Sequence, residues 1–178
     1  MSCWRPQGNL ALLCFDLPKD LEENIGHDLL NGKPAVYGRG PLSLHPIVLM
    51  HIVKNFDRAV WSWRDAVREL EKARLGQFGR MIRSAEDMHE TARHVIHSTE
   101  VLETAISVIE SIVKEARIRP SGACDLACSR ILNDLEFCTS LLTGFCNRSQ
   151  ALEKRLDNEI SLVSLMRSGS EAQLTADS

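Results

Sequence analysis

Apolar residues recur alternately three and four positions apart along most of this chain, and that spacing predicts helices. The alternation is strictest in the middle of the chain, where it holds for about five heptads, as in a coiled-coil seam. Side chains at this spacing share one helix face, so we expect them to meet a facing helix. The stripe consists of Met81, Ala85, Met88, Ala92, Val95, Thr99, Leu102, Ile106, Ile109, Val113 and Ala116.

A second apolar row widens the stripe of this central helix. A face this wide is typical of a helix that contacts two partners. The residues of the second row are Ile82, Ile96, Ala105, Val108 and Ile112.

A further long helix is predicted before the central one, from about residue 44 to 75. Ser43 is the expected N-cap, and Pro46 falls in the first turn, where proline is tolerated. The segment "GQFG" at 76–79 separates this helix from the next. Its apolar stripe comprises Leu49, Ile52, Phe56, Ala59, Trp63, Ala66, Leu70 and Ala73.

A third long helix is predicted after the central one, from about residue 124 to 167. The segment "RPSG" at 119–122 ends the central helix, and Ser149 interrupts the stripe of the third. The other members of that stripe are Ile131, Leu135, Cys138, Leu142, Phe145, Leu152, Leu156 and Val163.

Short connections make long neighbouring helices antiparallel. The sequence therefore predicts an all-α fold: an elongated antiparallel bundle of three long helices with coiled-coil character, over residues 43–168 and with helices at 44–75, 79–118 and 124–167. Residues 1–42 are predicted to form an irregular N-terminal segment with a short strand in "NLALLCFDLP" and a short helix in "KDLEENIGHDLLNG". Residues 169–178 are expected to be a disordered tail.

Composition narrows the class of protein. The chain has 178 residues, a net charge of −3 and 44% hydrophobic residues, which is ordinary for a folded domain. This charge argues against nucleic-acid binding, and no apolar run is long enough to span a membrane. The cysteines fall mainly at helical positions, which favours free thiols over a disulfide framework. We therefore expect a cytoplasmic protein.

Histidines in "EDMHETARHVIH" suggest one candidate metal site. Glu90, His94 and His97 are four and three residues apart, so they can share a helix face and hold a transition metal. Solvent-exposed helix histidines explain the same pattern. Cys124 and Cys128 are four apart, without two further ligands at matching spacing.

The tryptophans in "AVWSWRD" suggest a second kind of site. Trp63 is on the apolar stripe and is expected in the core, whereas Trp61 points elsewhere. With Arg58, Arg64 or Asp65, Trp61 is either part of a partner surface or a partly buried rim residue. No phosphate-binding loop, nucleophile elbow or pair of catalytic carboxylates is visible, so we expect no enzymatic activity.

The order of long helices and the ending "LEKRLDNEISLVSLM" resemble the cytosolic helical region of fungal CorA-like divalent-cation (magnesium) transporters. In that family the last cytosolic helix carries an arginine-rich stretch followed by an Asn-Glu-Ile segment. The matching positions here are Arg148, Arg155, Asn158, Glu159 and Ile160. The likeness covers roughly residues 40–166.

This resemblance implies a stalk domain, with Mg²⁺ as the associated ion. Family members continue the stalk helix into two membrane spans and a Gly-Met-Asn motif, which this sequence lacks. We therefore expect a chain that does not transport ions alone and is a regulator or a gene fragment. Its expected partners are itself or full-length CorA-like relatives, and it is membrane-associated only when joined to an intact transporter. The alternative is a coiled-coil scaffold or protein-interaction module.

Overall fold

The structure, a computed structural model, describes residues 2–4, 11–31, 42–74, 81–118 and 125–176. These residues form two short strands, β1 (Ser2–Trp4) and β2 (Ala11–Leu13), and four helices. The helices are α1 (Lys19–Leu30), α2 (His45–Arg74), α3 (Met81–Ile118) and α4 (Asp125–Ala176). The all-α fold with three long helices is confirmed. The predicted breaks at 76–79 and 119–122 lie outside the described residues.

The N-terminal segment is more regular than its sequence predicted. Helix α1 has twelve residues, about three turns, because Leu21 and Ile25 bury their side chains in a cluster with Val48 of α2. Strands β1 and β2 pair antiparallel, with Ser2 opposite Leu13. The short helix predicted in "KDLEENIGHDLLNG" is therefore present as α1, beside the three long helices.

Helix α4 continues further than predicted. It extends to Ala176, whereas the sequence predicted a helix end near residue 167 and a disordered tail from 169. Residues 167–176 contain no proline, and glutamate, alanine, glutamine and leucine are all good helix formers. Gly169 costs helix stability without stopping the helix.

The chain divides into two compact units. The first combines Met1–Phe56 with Thr104–Thr143, and the second combines Asp57–Glu103 with Gly144–Ser178. In the first unit, His51 Nε2 lies 2.9 Å from Asp28 Oδ2, which links α2 to α1 beside their apolar cluster.

The core of the second unit joins all three long helices. Val67 of α2, Val95 of α3 and two leucines of α4, Leu152 and Leu156, form one buried cluster. Trp63, Leu70 and Ala92 pack against it and are partly buried. The predicted stripes of the three helices therefore do converge on a common core here.

Contacts in the second unit also give the directions of its helices. Thr99 of α3 is hydrogen-bonded to Glu153 of α4, and Glu103, further along α3, is hydrogen-bonded to Gln150, which comes earlier on α4. Residue numbers therefore fall on one helix as they rise on the other. These two helices are antiparallel, as predicted. Helices α2 and α4 are parallel, because Trp61 contacts Arg148 and, later on both helices, Glu71 contacts Arg155.

The predicted stripe of α2 is partly wrong. Val53, Val60 and Val67 are almost completely buried, whereas the predicted Ile52, Ala59 and Ala66 are only partly buried. One residue corresponds to about 100° around a helix, so a one-residue error rotates half of the stripe away from the core. The same one-residue error occurs on α4, because Cys146 is buried whereas the predicted Phe145 is only partly buried.

Cysteine burial leads to a first prediction. Cys14 is exposed and Cys138 is buried, and both are free thiols. Burial, together with nearby Asp134, raises the pKa of Cys138 to about 11, so little reactive thiolate forms near neutral pH. We expect iodoacetamide to label Cys14 rapidly in the native protein and Cys138 only after denaturation. Mass spectrometry of the peptides measures both rates, and equal rates in the native protein would contradict the described burial.

Helix α4 is longer than a membrane span needs to be, yet neither it nor any other helix in the described ranges is apolar enough to cross a membrane.

Candidate functional site

An exposed aromatic and cationic cluster lies in the second unit, and we call it the Trp61 surface. It consists of Trp61, Arg64 and Arg148. The guanidinium carbon of each arginine is 4.3 Å from the centroid of the Trp61 ring. Trp61 is 38% exposed, and its Nε1 donates a hydrogen bond to Asp57 Oδ1 at 2.9 Å. The ring is therefore held in place while part of it faces solvent.

Helix geometry explains how the Trp61 surface forms. Asp57, Trp61 and Arg64 are four and three residues apart on α2, so they share a face. Arg148 comes from α4, which runs parallel to α2 in this unit. The sequence pointed to Arg58, Arg64 or Asp65 as companions of Trp61. Arg64 contacts the ring, and Asp65 accepts a 3.0 Å hydrogen bond from Arg64 Nε.

The two arginines differ in their remaining contacts. Arg64 forms an ion pair with Asp65, whereas Arg148 is exposed and, within the described part of the chain, forms no ion pair. A guanidinium that stacks on a tryptophan keeps its N–H groups pointing outward in one plane. Arg148 is therefore positioned to donate a forked pair of hydrogen bonds to a carboxylate.

A second charged group ties α2 to α4. Arg155 donates hydrogen bonds from Nε to Glu71 Oε1 at 2.9 Å and from Nη2 to Glu71 Oε2 at 2.6 Å. These bonds, with a smaller contribution from nearby Glu159, raise the pKa of Arg155 despite its partial burial. Glu159 is only 8% exposed. A forked pair of this kind fixes the position of α4 against α2.

The five positions of the transporter-like segment therefore do not form one site. Arg155 and Glu159 share the charged group described above, and Arg148 belongs to the Trp61 surface. Asn158 is exposed and Ile160 is partly buried. The sequence could not show this division, because it depends on which face of α4 contacts α2.

A buried polar layer lies between α3 and α4. The hydroxyl oxygens of Thr99 and Ser149 are 2.9 Å apart, and both side chains are buried. The Thr99 hydroxyl donates a hydrogen bond to the carboxylate of Glu153. Thr99 and Ser149 both occupy the apolar stripes, so they pair with each other instead of interrupting the core. One polar layer in a seam favours a single register of the two helices, since other registers would leave it unpaired.

The structure brings two of the three candidate metal ligands together, Glu90 and His94, and pairs the third, His97, with Glu100. The His94 ring stacks on Trp63 at a centroid distance of 5.1 Å, and its Nε2 lies 3.1 Å from Glu90 Oε1. His97 lies near Glu100 instead, at 3.8 Å. Across the described ranges, no group of three or more His, Cys, Asp or Glu side chains is arranged to hold a metal. Cys124 lies outside those ranges, and Cys128 is partly buried.

The stack between His94 and Trp63 leads to a second prediction. We expect His94→Ala to lower the free energy of unfolding by about 0.5–1.5 kcal/mol through loss of the aromatic contact. His97→Ala is the matched control, because its side chain is 75% exposed, and should change stability by less than about 0.5 kcal/mol. Urea denaturation measures both. Similar losses of unfolding free energy for the two variants, together with added zinc that stabilises the wild type but neither variant, would indicate a metal site instead.

Comparisons with protein-family models, curated proteins and solved structures give no significant match to this chain. Membership of the CorA-like family therefore remains a hypothesis from the sequence. A proposed function must therefore rest on the contacts of the Trp61 surface, on the hydrogen bonds between Arg155 and Glu71, and on the surface of α4.

Proposed function

We propose that this chain is a non-catalytic helical protein that acts by packing against another protein chain, as a stalk domain of the CorA-like magnesium transporter type. The length of α4 supports this proposal. Its 52 residues correspond to about 78 Å of helix. Such a helix resembles the stalk that carries the pore of a transporter, and it remains intact through Gly144.

The observation that carries the proposal is the apolar surface at residues 162–166 of α4. Val163 is buried, but its neighbours Leu162, Leu165 and Met166 are 40%, 71% and 45% exposed. Large apolar side chains grouped on one short stretch are typical of a surface that contacts another chain. In a stalk, that contact is with neighbouring subunits.

The resemblance supplies the rest of the proposal. The chain would join copies of itself or full-length CorA-like relatives through helix packing, with Mg²⁺ as the ion that influences assembly. Its role would be to regulate the ion transport of the relative that it joins. Its location would be cytoplasmic, and at the membrane only when it is bound to an intact transporter. Nucleic acid is not among the proposed partners.

A second candidate is a coiled-coil scaffold, and one observation favours it. Val108 of α3, in the first unit, is 54% exposed although it is apolar. It lies outside the buried stripe of α3, and Ile112, four residues further on and therefore on the same face, is only partly buried. Apolar residues exposed on one helix face fit a helix from another protein without any need for magnesium.

Light scattering tests the two candidates against each other. A mass above that of the monomer, which changes when magnesium is replaced by a chelator, supports the stalk. A dimer with the same mass in both conditions supports the scaffold. One monomeric mass in both conditions, with no CorA-like relative that co-purifies, would reject the regulatory stalk. The matched control is calcium at the same concentration, which separates a magnesium effect from ionic strength.

A further inference from the structure

Helix α4 carries a second stripe of residues at heptad spacing, outside the stripe that forms the core of the second unit. Its members alternate four and three positions apart, so they share one face of the helix. Arg148 stacks on Trp61 and Arg155 pairs with Glu71, so this face borders α2. Every member except the partly buried Arg155 is exposed. We call these residues the outer stripe: Gly144, Arg148, Ala151, Arg155, Asn158, Leu162 and Leu165.

The outer stripe has two chemically different ends. Gly144 and Ala151, on either side of Arg148, have no side-chain atoms beyond Cβ, and a Cβ added at Gly144 would meet nothing outside its own helix backbone within 4 Å. Another helix can therefore approach α4 closely around Arg148. At the other end of the stripe, Leu162 and Leu165 are exposed. A surface of this kind fits one amphipathic helix that lies along α4.

The charge of the outer stripe indicates what such a helix must offer. The stripe contains two arginines and no acidic residue, and Arg148 has no ion pair within the described part of the chain. Two α4 helices packed along this stripe would supply no carboxylate to either arginine. Parallel packing would even place Arg148 beside its own copy, and like charges that meet in an interface cost binding energy. The stripe is therefore not self-complementary, and it fits a helix of a different sequence.

We propose that the outer stripe binds an amphipathic helix of another protein, with a glutamate or aspartate opposite Arg148 and apolar residues opposite Leu162 and Leu165. Arg148 and Leu162 are separated by two heptads, about 21 Å along the helix, so the acidic and apolar residues of the partner have the same separation. The stack on Trp61 holds the Arg148 guanidinium in one plane, which favours a forked bond to a carboxylate. The inference rests on the proposed function, because it names the kind of partner that the apolar surface of α4 contacts.

Synthetic helical peptides test this proposal by fluorescence anisotropy. The acidic probe is a labelled, alanine-based peptide of three heptads, with glutamates in the first heptad and leucines in the third, all on one face. A second acidic probe carries them in the reverse order, which allows for either direction of packing. The basic control has lysines in place of the glutamates. We expect one acidic probe to bind the wild type at least about tenfold more tightly than its basic control, the scale for a close interfacial charge pair.

Variants of α4 show whether Arg148 reads the charge of the probe. Arg148→Glu should reverse the preference, so that the basic peptide binds more tightly than the acidic one. Lys154→Glu is the matched control, because Lys154 is exposed on the same helix and in the same unit but lies outside the outer stripe. It should keep the preference for the acidic probe. A misfolded variant would lose both peptides, so a reversed preference cannot arise from misfolding.

The other outcomes overturn the inference, and they separate it from self-association. If neither acidic probe binds more tightly than its basic control, or if Arg148→Glu and Lys154→Glu have equal effects, the outer stripe is not a site for an acidic helix. If Arg148→Glu instead weakens self-association in sedimentation velocity without any peptide, a second copy covers the stripe, and self-association alone stands. A wild type that is monomeric at every concentration but prefers the acidic probe supports the inference and rejects self-association.

Discussion

Replacing Leu156 by alanine should lower the free energy of unfolding by about 2–5 kcal/mol. Leu156 has no exposed surface, and it belongs to the buried cluster that joins Val67 of α2 and Val95 of α3 to α4. Truncation would leave a cavity in which all three long helices lose contacts. Most folded domains are stable by only about 5–15 kcal/mol, so we expect partial unfolding at moderate temperature.

Leu126→Ala is the matched control for this prediction. It removes the same atoms from the same helix, but Leu126 is 86% exposed, so the change should be within about 0.5 kcal/mol. Urea denaturation followed by circular dichroism measures both variants. Equal effects of the two substitutions would contradict the three-helix core of the second unit.

Replacing Arg155 by methionine should cost about 1–2 kcal/mol of unfolding free energy. Methionine keeps most of the side-chain volume but removes the two hydrogen bonds to Glu71 and a cation near Glu159. Glu159 is 8% exposed, so its carboxylate would lose a favourable neighbour in a poorly solvated position. The expected loss of unfolding free energy is smaller than for a fully buried ion pair, because Arg155 and Glu71 are 41% and 30% exposed.

A double-mutant cycle with Glu71→Gln isolates the interaction between Arg155 and Glu71. We expect a coupling free energy of at least about 0.5 kcal/mol. The partners raise the pKa of Arg155. While Glu71 is ionised, the guanidinium therefore stabilises the fold below its unfolded pKa, and on the alkaline side this contribution declines only as the pH rises through the folded pKa. The coupling should therefore be the same at neutral and mildly alkaline pH. Additive effects of the two substitutions would mean that this bridge does not hold α4 to α2.

The helices could be predicted from the sequence because heptad spacing reports directly on burial. On α3, the predicted Met88, Val95 and Leu102 are all completely buried. The stripe on α2 was harder, since apolar residues at both 52 and 53, and at both 59 and 60, fit a helical repeat equally well. Only contacts with other helices show that Val53 and Val60 face inward.

The candidate site could be predicted only in part. Trp61 and Arg64 are close in sequence, and helix spacing predicted that they could share a surface. Arg148 is far along the chain, and its contact with Trp61 depends on the register between α2 and α4. The same limit applies to Thr99, a predicted member of the α3 stripe, and Ser149, a predicted interruption of the α4 stripe, because they pair with each other only in the folded chain.

We propose that this chain acts by associating with another chain through its helices. Sedimentation velocity of the wild type over a wide range of protein concentration is the first experiment to do. We expect the mass to rise above the monomer value of 19.9 kDa as concentration increases, with magnesium shifting the equilibrium. A single species of 19.9 kDa at every concentration, in magnesium and in chelator alike, would contradict the claim of self-association.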